Sequence, residues 1–193
     1  KENISQTIKT FNEAGIAVKM ITGDYAETAL AIAGQIQLDH NQEVLTGKEV
    51  LSLTQKQLQQ KVKQVNIFAR MFPEAKLKVI DALKENGEVV AMTGDGVNDG
   101  PALKAAHIGI AMGKRGSEVA KSAASLILTD DDLAHMTDAV ALGRKIYDNL
   151  KKAIQYIVSI HIPIILIVTL PLLLLWKFTN IFSPVHVILL ELS

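Results

Sequence analysis

Val89-Val90-Ala91-Met92-Thr93-Gly94-Asp95-Gly96-Val97-Asn98-Asp99 runs from four apolar residues straight into a loop of glycines, carboxylates and an amide. The apolar part, Val89 to Met92, reads as a strand buried in a parallel sheet. Its polar continuation then stands at the strand's C-terminal end, where open α/β sheets place their ligand sites. Glycine lets the backbone approach a phosphate closely, and free N–H groups can hold its oxygens. Asp95 and Asp99 lie around one tight turn and could hold a hard cation such as Mg2+ through oxygen ligands.

The same design occurs earlier in the chain. A strand over Ile16 to Ile21 leads into Thr22-Gly23-Asp24, again a hydroxyl, a glycine and a carboxylate. Alone, that tripeptide is a common turn; its weight comes from repeating the later one. Between the two lies Arg70-Met71-Phe72-Pro73-Glu74-Ala75-Lys76. Pro73 opens a helix, Glu74 to Asn86, so Lys76 falls in a first turn, where the helix dipole favours anions. A lysine there is a poor partner for the dipole but a good phosphate ligand.

The other segments alternate in the same manner. Helices are expected over Asn3 to Ala14, over Ala26 to Gln37 with Ala29, Ile32, Ala33 and Ile36 on one face, and from about Pro101. Strands are expected over Val65 to Ala69, Ile108 to Ala111 and Leu126 to Leu128. From Leu45 to Lys63 the signal weakens, and the Gln- and Lys-rich Thr54 to Lys63 reads as a solvated helix. The order predicts an α/β fold: a Rossmann-like parallel sheet with helices on both faces.

Twenty basic and twenty acidic residues cancel over the 193, so no overall charge draws the chain to nucleic acid. There is no cysteine, which excludes disulfides, thiolate metal sites and a cysteine nucleophile. Charges recur every few residues up to Lys152, and then none occurs from Ala153 to Trp176. As a helix, that stretch is long enough to cross a hydrocarbon core of about 30 Å. Asp132 to Lys152 reads as an amphipathic helix running into it, the other reading being a break near Asn149. Lys145, Lys151 and Lys152 put the preceding part in the cytoplasm. A second apolar run starts at Val185 and stops at Ser193, and the first residue is Lys rather than Met, so a piece of a longer polypeptide is expected. The expected layout is a partial soluble domain over 1–131, a stalk helix over 132–152, a span over 153–176 and the start of another over 185–193.

Taken together, Thr22-Gly23-Asp24, then Arg70-x-x-Pro73-x-x-Lys76, then Thr93 to Asp99 followed by Pro101-Ala102-Leu103 resembles the P-type cation-transporting ATPases. These are members of the haloacid dehalogenase superfamily, and the resemblance covers essentially the whole chain. It implies that Thr22, Gly23 and Asp24 contact a phosphoryl group and help position water, and that Lys76 neutralises its oxygens. It implies Mg2+ on Asp95, with Asn98 and Asp99 supporting the site, and ATP as substrate. The family carries its phosphoryl group on the Asp of an Asp-Lys-Thr-Gly-Thr motif. No such string occurs here, so the nucleophile and nucleotide pocket are expected in an N-terminal part of the same polypeptide, and this piece alone should neither phosphorylate itself nor pump. Gly100 stands where the family usually has Ala, and Tyr25 where many members have His.

The resemblance further implies an integral, multi-pass protein of the plasma membrane whose partners are a transported cation, ATP and the bilayer, with no nucleic acid. His161 and Glu191 are the candidate ligands for the transported ion, as ionisable residues at membrane depth. In calcium pumps of the family the fifth span presents an Asn and a Glu to the ion. By spacing from Lys151-Lys152 those places hold His161 and Ile164, so the ion stays open between a Ca2+-like divalent and another cation. Two other readings remain at this point: a membrane-anchored phosphatase or phosphotransferase of the same superfamily, and a non-catalytic remnant.

Overall fold

Parallel strands need a crossover connection that returns the chain to the same end of the sheet, and short apolar runs separated by helices supply it. The computed structural model, which describes residues 4–39 and 42–174, has this pattern. Its elements are α1 (Ile4–Glu13), β1 (Met20–Ile21), α2 (Ala26–Gln35), β2 (Val44–Thr46), α3 (Gly47–Ser52), α4 (Gln55–Gln64), β3 (Ile67–Ala69) and α5 (Pro73–Glu85). They continue with β4 (Ala91–Gly94), a 3-10 turn over Val97–Asp99, α6 (Gly100–Ala105), β5 (Ile108–Met112), α7 (Glu118–Ala123), β6 (Leu126–Leu128) and α8 (Ala134–Leu173). All pairings are parallel, in two three-stranded sheets of order β1-β3-β2 and β4-β5-β6.

β3 is the centre of the first sheet and is buried throughout. Its residues alternate between two cores, as a pleated strand requires. Ile67 and Ala69 pack with Ile8, Ala29 and Ala33 from α1 and α2, while Phe68 packs with Val50, Leu58, Val62 and Val79 from α3, α4 and α5. Helices thus cover both faces of this sheet. Fully burying side chains such as Phe68, Leu58 or Ile67 stabilises the fold by about 1.5–3 kcal/mol each. In the second sheet, Met92 and Ala111 pack against Ile80 of α5, Ala102 and Leu103 of α6, and Ala120 of α7. On its other face Ile108 and Leu126 remain 38% and 51% exposed, while Ile110 and Met112 between them are buried. Ile21 of β1 and Leu83 of α5 belong to both the α5-side core of the first sheet and the core of the second, and so tie the sheets together.

Several expectations need adjusting. Thr54 to Lys63 is not a solvated helix. Leu58 and Val62, one turn apart on α4, are fully buried against α5, so the polar composition hid a narrow apolar stripe. The strand expected over Ile16 to Ile21 shrinks to β1, and the one over Val89 to Met92 moves two residues later. Val89 is 81% exposed, and Val90 spends its N–H on the His107 ring while its carbonyl accepts from Ile108, so the ladder begins only there. On α2 the buried residues are Ala29 and Ala33, while Ile32 is 38% exposed. β2, α3 and α7 lie where no element was expected. Each short helix is held by a side-chain cap: Thr46 with Glu49 in a capping box at α3, and Ser117 Oγ accepting from Ala120 N–H at α7.

The contacts part the chain between Asp138 and Ala139 into two compact units. α8 is helical without interruption at Asn149. Its Ala134–Ile167 portion has a window of mean hydropathy 1.5, none of it buried in the protein, and is long enough to cross a membrane. Glu191 and the run from Val185 lie outside the described residues.

Candidate functional site

The Thr22-Gly23-Asp24 loop leaves the C-terminal end of β1 and is fastened by backbone. Thr22 N–H donates to the Phe68 carbonyl at 2.9 Å, Met71 N–H to the Thr22 carbonyl at 2.9 Å, and Arg70 N–H to the Asp24 carbonyl at 2.8 Å. Within the loop, Thr22 Oγ1 donates to Asp24 Oδ2 at 3.0 Å and accepts from Asp24 N–H at 3.1 Å. Arg70 reaches these bonds with a φ of +50°, and its guanidinium lies 4.4 Å from the centre of the Tyr25 ring, a cation–π contact at the rim.

The Arg70 segment is in turn pressed against α3. A Cβ on Gly47 would lie 2.6 Å from the Arg70 carbonyl oxygen and 2.8 Å from the Phe72 ring, so a side chain at 47 would displace the segment. The capping box at α3 fixes Gly47 there. Thr46 N–H, followed by the Thr46 hydroxyl, holds the Glu49 carboxyl below its ordinary range.

From Met71 the chain turns at Pro73 into α5, and Lys76 occupies its first turn. Lys76 is only 9% exposed, and its Nζ donates to Asp99 Oδ1 at 2.6 Å. A buried charge pair persists only where each partner compensates the other. Asp99, itself 8% exposed, accepts a second hydrogen bond from Gly96 N–H at 3.1 Å on Oδ2. Its side chain folds over Gly94, where a Cβ would lie 2.6 Å from the Asp99 Cβ. The three motifs are therefore brought together by two contacts, Thr22 with Met71 and Lys76 with Asp99.

Asp95 and Asn98 are exposed on the same loop. No described residue donates a hydrogen bond to the Asp95 carboxylate, whereas the Asp95 carbonyl accepts from Ser117 N–H at 2.8 Å. An exposed carboxylate beside an amide oxygen, with room for water and phosphate oxygens, is the kind of donor set Mg2+ takes, since that ion keeps several waters and uses one or two carboxylates. Among the described residues no three His, Asp or Glu side chains converge on one point, so a bound cation would draw most of its ligands from water and substrate. His161 lies on α8, exposed, with Nδ1 2.8 Å from the Ile157 carbonyl oxygen.

Sequence reading did not single out Gly47 or Ser117. Gly47 follows a capping threonine in a weak stretch, and its close approach to Arg70 has no local signature. Ser117 precedes Glu118 and could have been read as a helix cap, but not as a partner of Asp95.

Residues 1–107 match the haloacid dehalogenase-like hydrolase family. The chain is 46% identical over 175 residues to a calcium-transporting ATPase of Bacillus subtilis, spanning 90% of this chain and 20% of that protein. It is 42% identical to calcium-transporting ATPase 1 of Lactococcus lactis, over 100% of this chain and 22% of that one. With calcium-transporting ATPase type 2C member 2 of Homo sapiens the identity is 45%, over 86% and 18% of the two. The chain thus spans about a fifth of the length of the curated relatives it matches. Among solved structures, the catalytic domain of the CPx-ATPase CopB-B shares the fold, with a TM-score of 0.55 at 23% identity, covering 72% of this chain and 45% of that one. The chain belongs to the haloacid dehalogenase-like hydrolases, and over most of its length it is similar to cation-transporting ATPases.

Proposed function

We propose that the chain is the later part of the phosphorylation domain, with the stalk and first following span, of an ATP-driven cation pump. The observation that carries the reading is the buried Lys76–Asp99 pair, 2.6 Å long, which joins the helix-start lysine to the acidic loop beside the Thr22 loop. In this reading ATP phosphorylates an aspartate that lies upstream in the same polypeptide. β1 and β4 are the end strands of their sheets, and Ile21 packs into the cores of both. One further parallel strand placed between them would bring its C-terminal end, and an aspartate there, beside Thr22 and Asp95.

Lys76 has three N–H donors, and the Asp99 contact uses one, so two can meet phosphoryl oxygens. Asp99 holds the ammonium in place before the phosphoryl group arrives, which spares reorganisation at the moment of transfer. The Thr22 hydroxyl and Gly23 backbone line the opposite side, and Asp24 orients the water that later releases phosphate. Mg2+, when bound at Asp95 with Asn98 beside it, neutralises charge on the transferring group. The soluble unit faces the cytoplasm, α8 enters the plasma membrane, and the full protein is multi-pass. The relatives named calcium-transporting favour a Ca2+-like ion, with His161 and Glu191 as ligand candidates.

The test is to incubate the full-length polypeptide with ATP labelled on the γ-phosphate, with Mg2+ present. An acid-stable, hydroxylamine-labile label that appears with Ca2+ and is lost on Lys76→Met is expected. Release of free phosphate from small phosphate esters with no labelled protein would instead indicate a membrane-anchored phosphatase.

A further inference from the structure

Three consecutive aspartates separate β6 from α8, and each does a different job. Asp130 Oδ2 meets His135 Nε2 at 2.8 Å, and Asp132 Oδ1 accepts from Ala134 N–H at 3.0 Å at the start of α8. Asp131 turns the other way. Its φ is +60°, a region that non-glycine residues seldom occupy, and the residue is only 4% exposed. Its carboxylate reaches back to the loop after β5, where Oδ1 accepts from Lys114 N–H at 3.0 Å, and Oδ2 from Arg115 N–H at 3.1 Å and Arg115 Nε–H at 3.2 Å. The Lys114 N–H, with further help from the Arg115 and Gly113 groups, holds the Asp131 carboxyl below the usual carboxylate range.

The clasped loop is tight at both ends. A Cβ on Gly113 would lie 2.7 Å from the Leu128 carbonyl oxygen, and one on Gly116 would lie 2.0 Å from that of Met112. The next residue, Ser117, donates its N–H to the Asp95 carbonyl at 2.8 Å. A continuous path of short contacts therefore runs from the turn before α8, through the loop, to the acidic loop: Asp131, Lys114 and Arg115, then Ser117, then Asp95.

We propose that Asp131 is a positioning residue for Asp95, setting the cation affinity of the acidic loop through residues 113–117 from the turn that leads into α8. The inference rests on the reading of Asp95 as a Mg2+ ligand. Because coupling is reciprocal, cation binding at Asp95 also tightens the clasp. The clasp residues touch neither substrate nor cation themselves.

The experiment measures amide hydrogen exchange in the full-length polypeptide over residues 93–99 as Mg2+ is raised without ATP. Asp131→Asn keeps the shape but turns an amide N–H toward donors, and is expected to raise the Mg2+ midpoint about tenfold. Ser117→Pro suits the φ of −65° at that position, removes the N–H aimed at Asp95 and the hydroxyl cap, and sets its ring Cδ against the Asp95 carbonyl, so it should raise the midpoint at least as much without removing any Asp131 contact. It tests the path even should Asp131→Asn not fold. Ser117→Ala, which keeps the N–H, and Asp130→Asn, whose carboxylate holds His135 and the Asp132 N–H but no residue of 113–117, should stay within about twofold of the parent. A parent protein with no Mg2+ response overturns the cation reading and this inference with it. A responsive parent whose Asp131→Asn and Ser117→Pro variants keep its midpoint overturns the inference alone, as does an Asp130→Asn shift equal to that of Asp131→Asn.

Discussion

Thr22-Gly23-Asp24 and Thr93-Gly94-Asp95 are the same tripeptide at the same end of two parallel strands, yet they are held differently. The first loop is laced by backbone bonds to residues 70–71, and its own Thr22 hydroxyl ties down the Asp24 carboxylate. The second is held from below by a buried ion pair, with Asp99 folded over Gly94 and onto Lys76, and its Asp95 carboxylate takes no hydrogen bond from any described residue. A carboxylate committed to a local hydroxyl is suited to orienting a neighbour, and one left exposed is suited to a cation. The tripeptide sets neither outcome. The residues on its C-terminal side and the packing beneath it decide.

The largest effect should come from breaking the support that only the second loop has. Lys76→Met leaves Asp99 charged and buried, and should destabilise that loop by about 3 kcal/mol. In the full-length polypeptide, amide exchange over 93–99 should speed up by roughly a hundredfold. The double change Lys76→Met with Asp99→Leu, which removes both charges, should recover part of the loss. Equal acceleration over 22–24 would erase the distinction between the loops.

A smaller contrast comes from one methyl group. Gly94→Ala puts a Cβ 2.6 Å from that of Asp99 and should cost about 2 kcal/mol of local stability by forcing the carboxylate off Lys76. Gly23→Ala meets nothing nearer than the Met71 carbonyl oxygen at 3.9 Å and should change stability by less than about 0.5 kcal/mol. Exchange rates in the two variants check both figures, and a reversed order would contradict the packing of Asp99 over Gly94.

The smallest effect depends on pH. The folded Glu49 carboxyl titrates below its unfolded value, so its contribution to the α3 cap is present above the ordinary glutamate range and is lost as pH falls through the lowered folded value. Because Gly47 braces Arg70, acid should loosen the first loop a few-fold by this route. Asp131 is lowered in the same direction, so acid reaches the second loop as well. Glu49→Gln at neutral pH separates the two, with faster exchange expected over 22–24 and 70–72 and none over 93–99.

Much of the fold was legible because apolar runs such as Ile67-Phe68-Ala69 and breakers such as Pro73 and Gly87 act locally. The site motifs were legible for the same reason, being contiguous and rich in glycine and aspartate. The rest depended on contacts between distant residues. Leu58 and Val62 are two apolar residues in a polar helix, and only α5 makes them core. The pairing of Lys76 with Asp99 joins residues that have no spacing rule between them. Asp131 sits in a run of three aspartates whose separate partners only the turn geometry reveals. Gly47 and Ser117 matter through the groups that approach them, which a single sequence does not record.

The most direct test of the contrast is a Mg2+ titration of phosphoenzyme formation from ATP in the full-length polypeptide, comparing Asp95→Asn with Asp24→Asn. The expected result is a Mg2+ midpoint raised more than tenfold for Asp95→Asn and unchanged for Asp24→Asn, whose defect should lie in slow release of phosphate. Equal shifts in the two variants, or a shift confined to Asp24→Asn, would contradict the account.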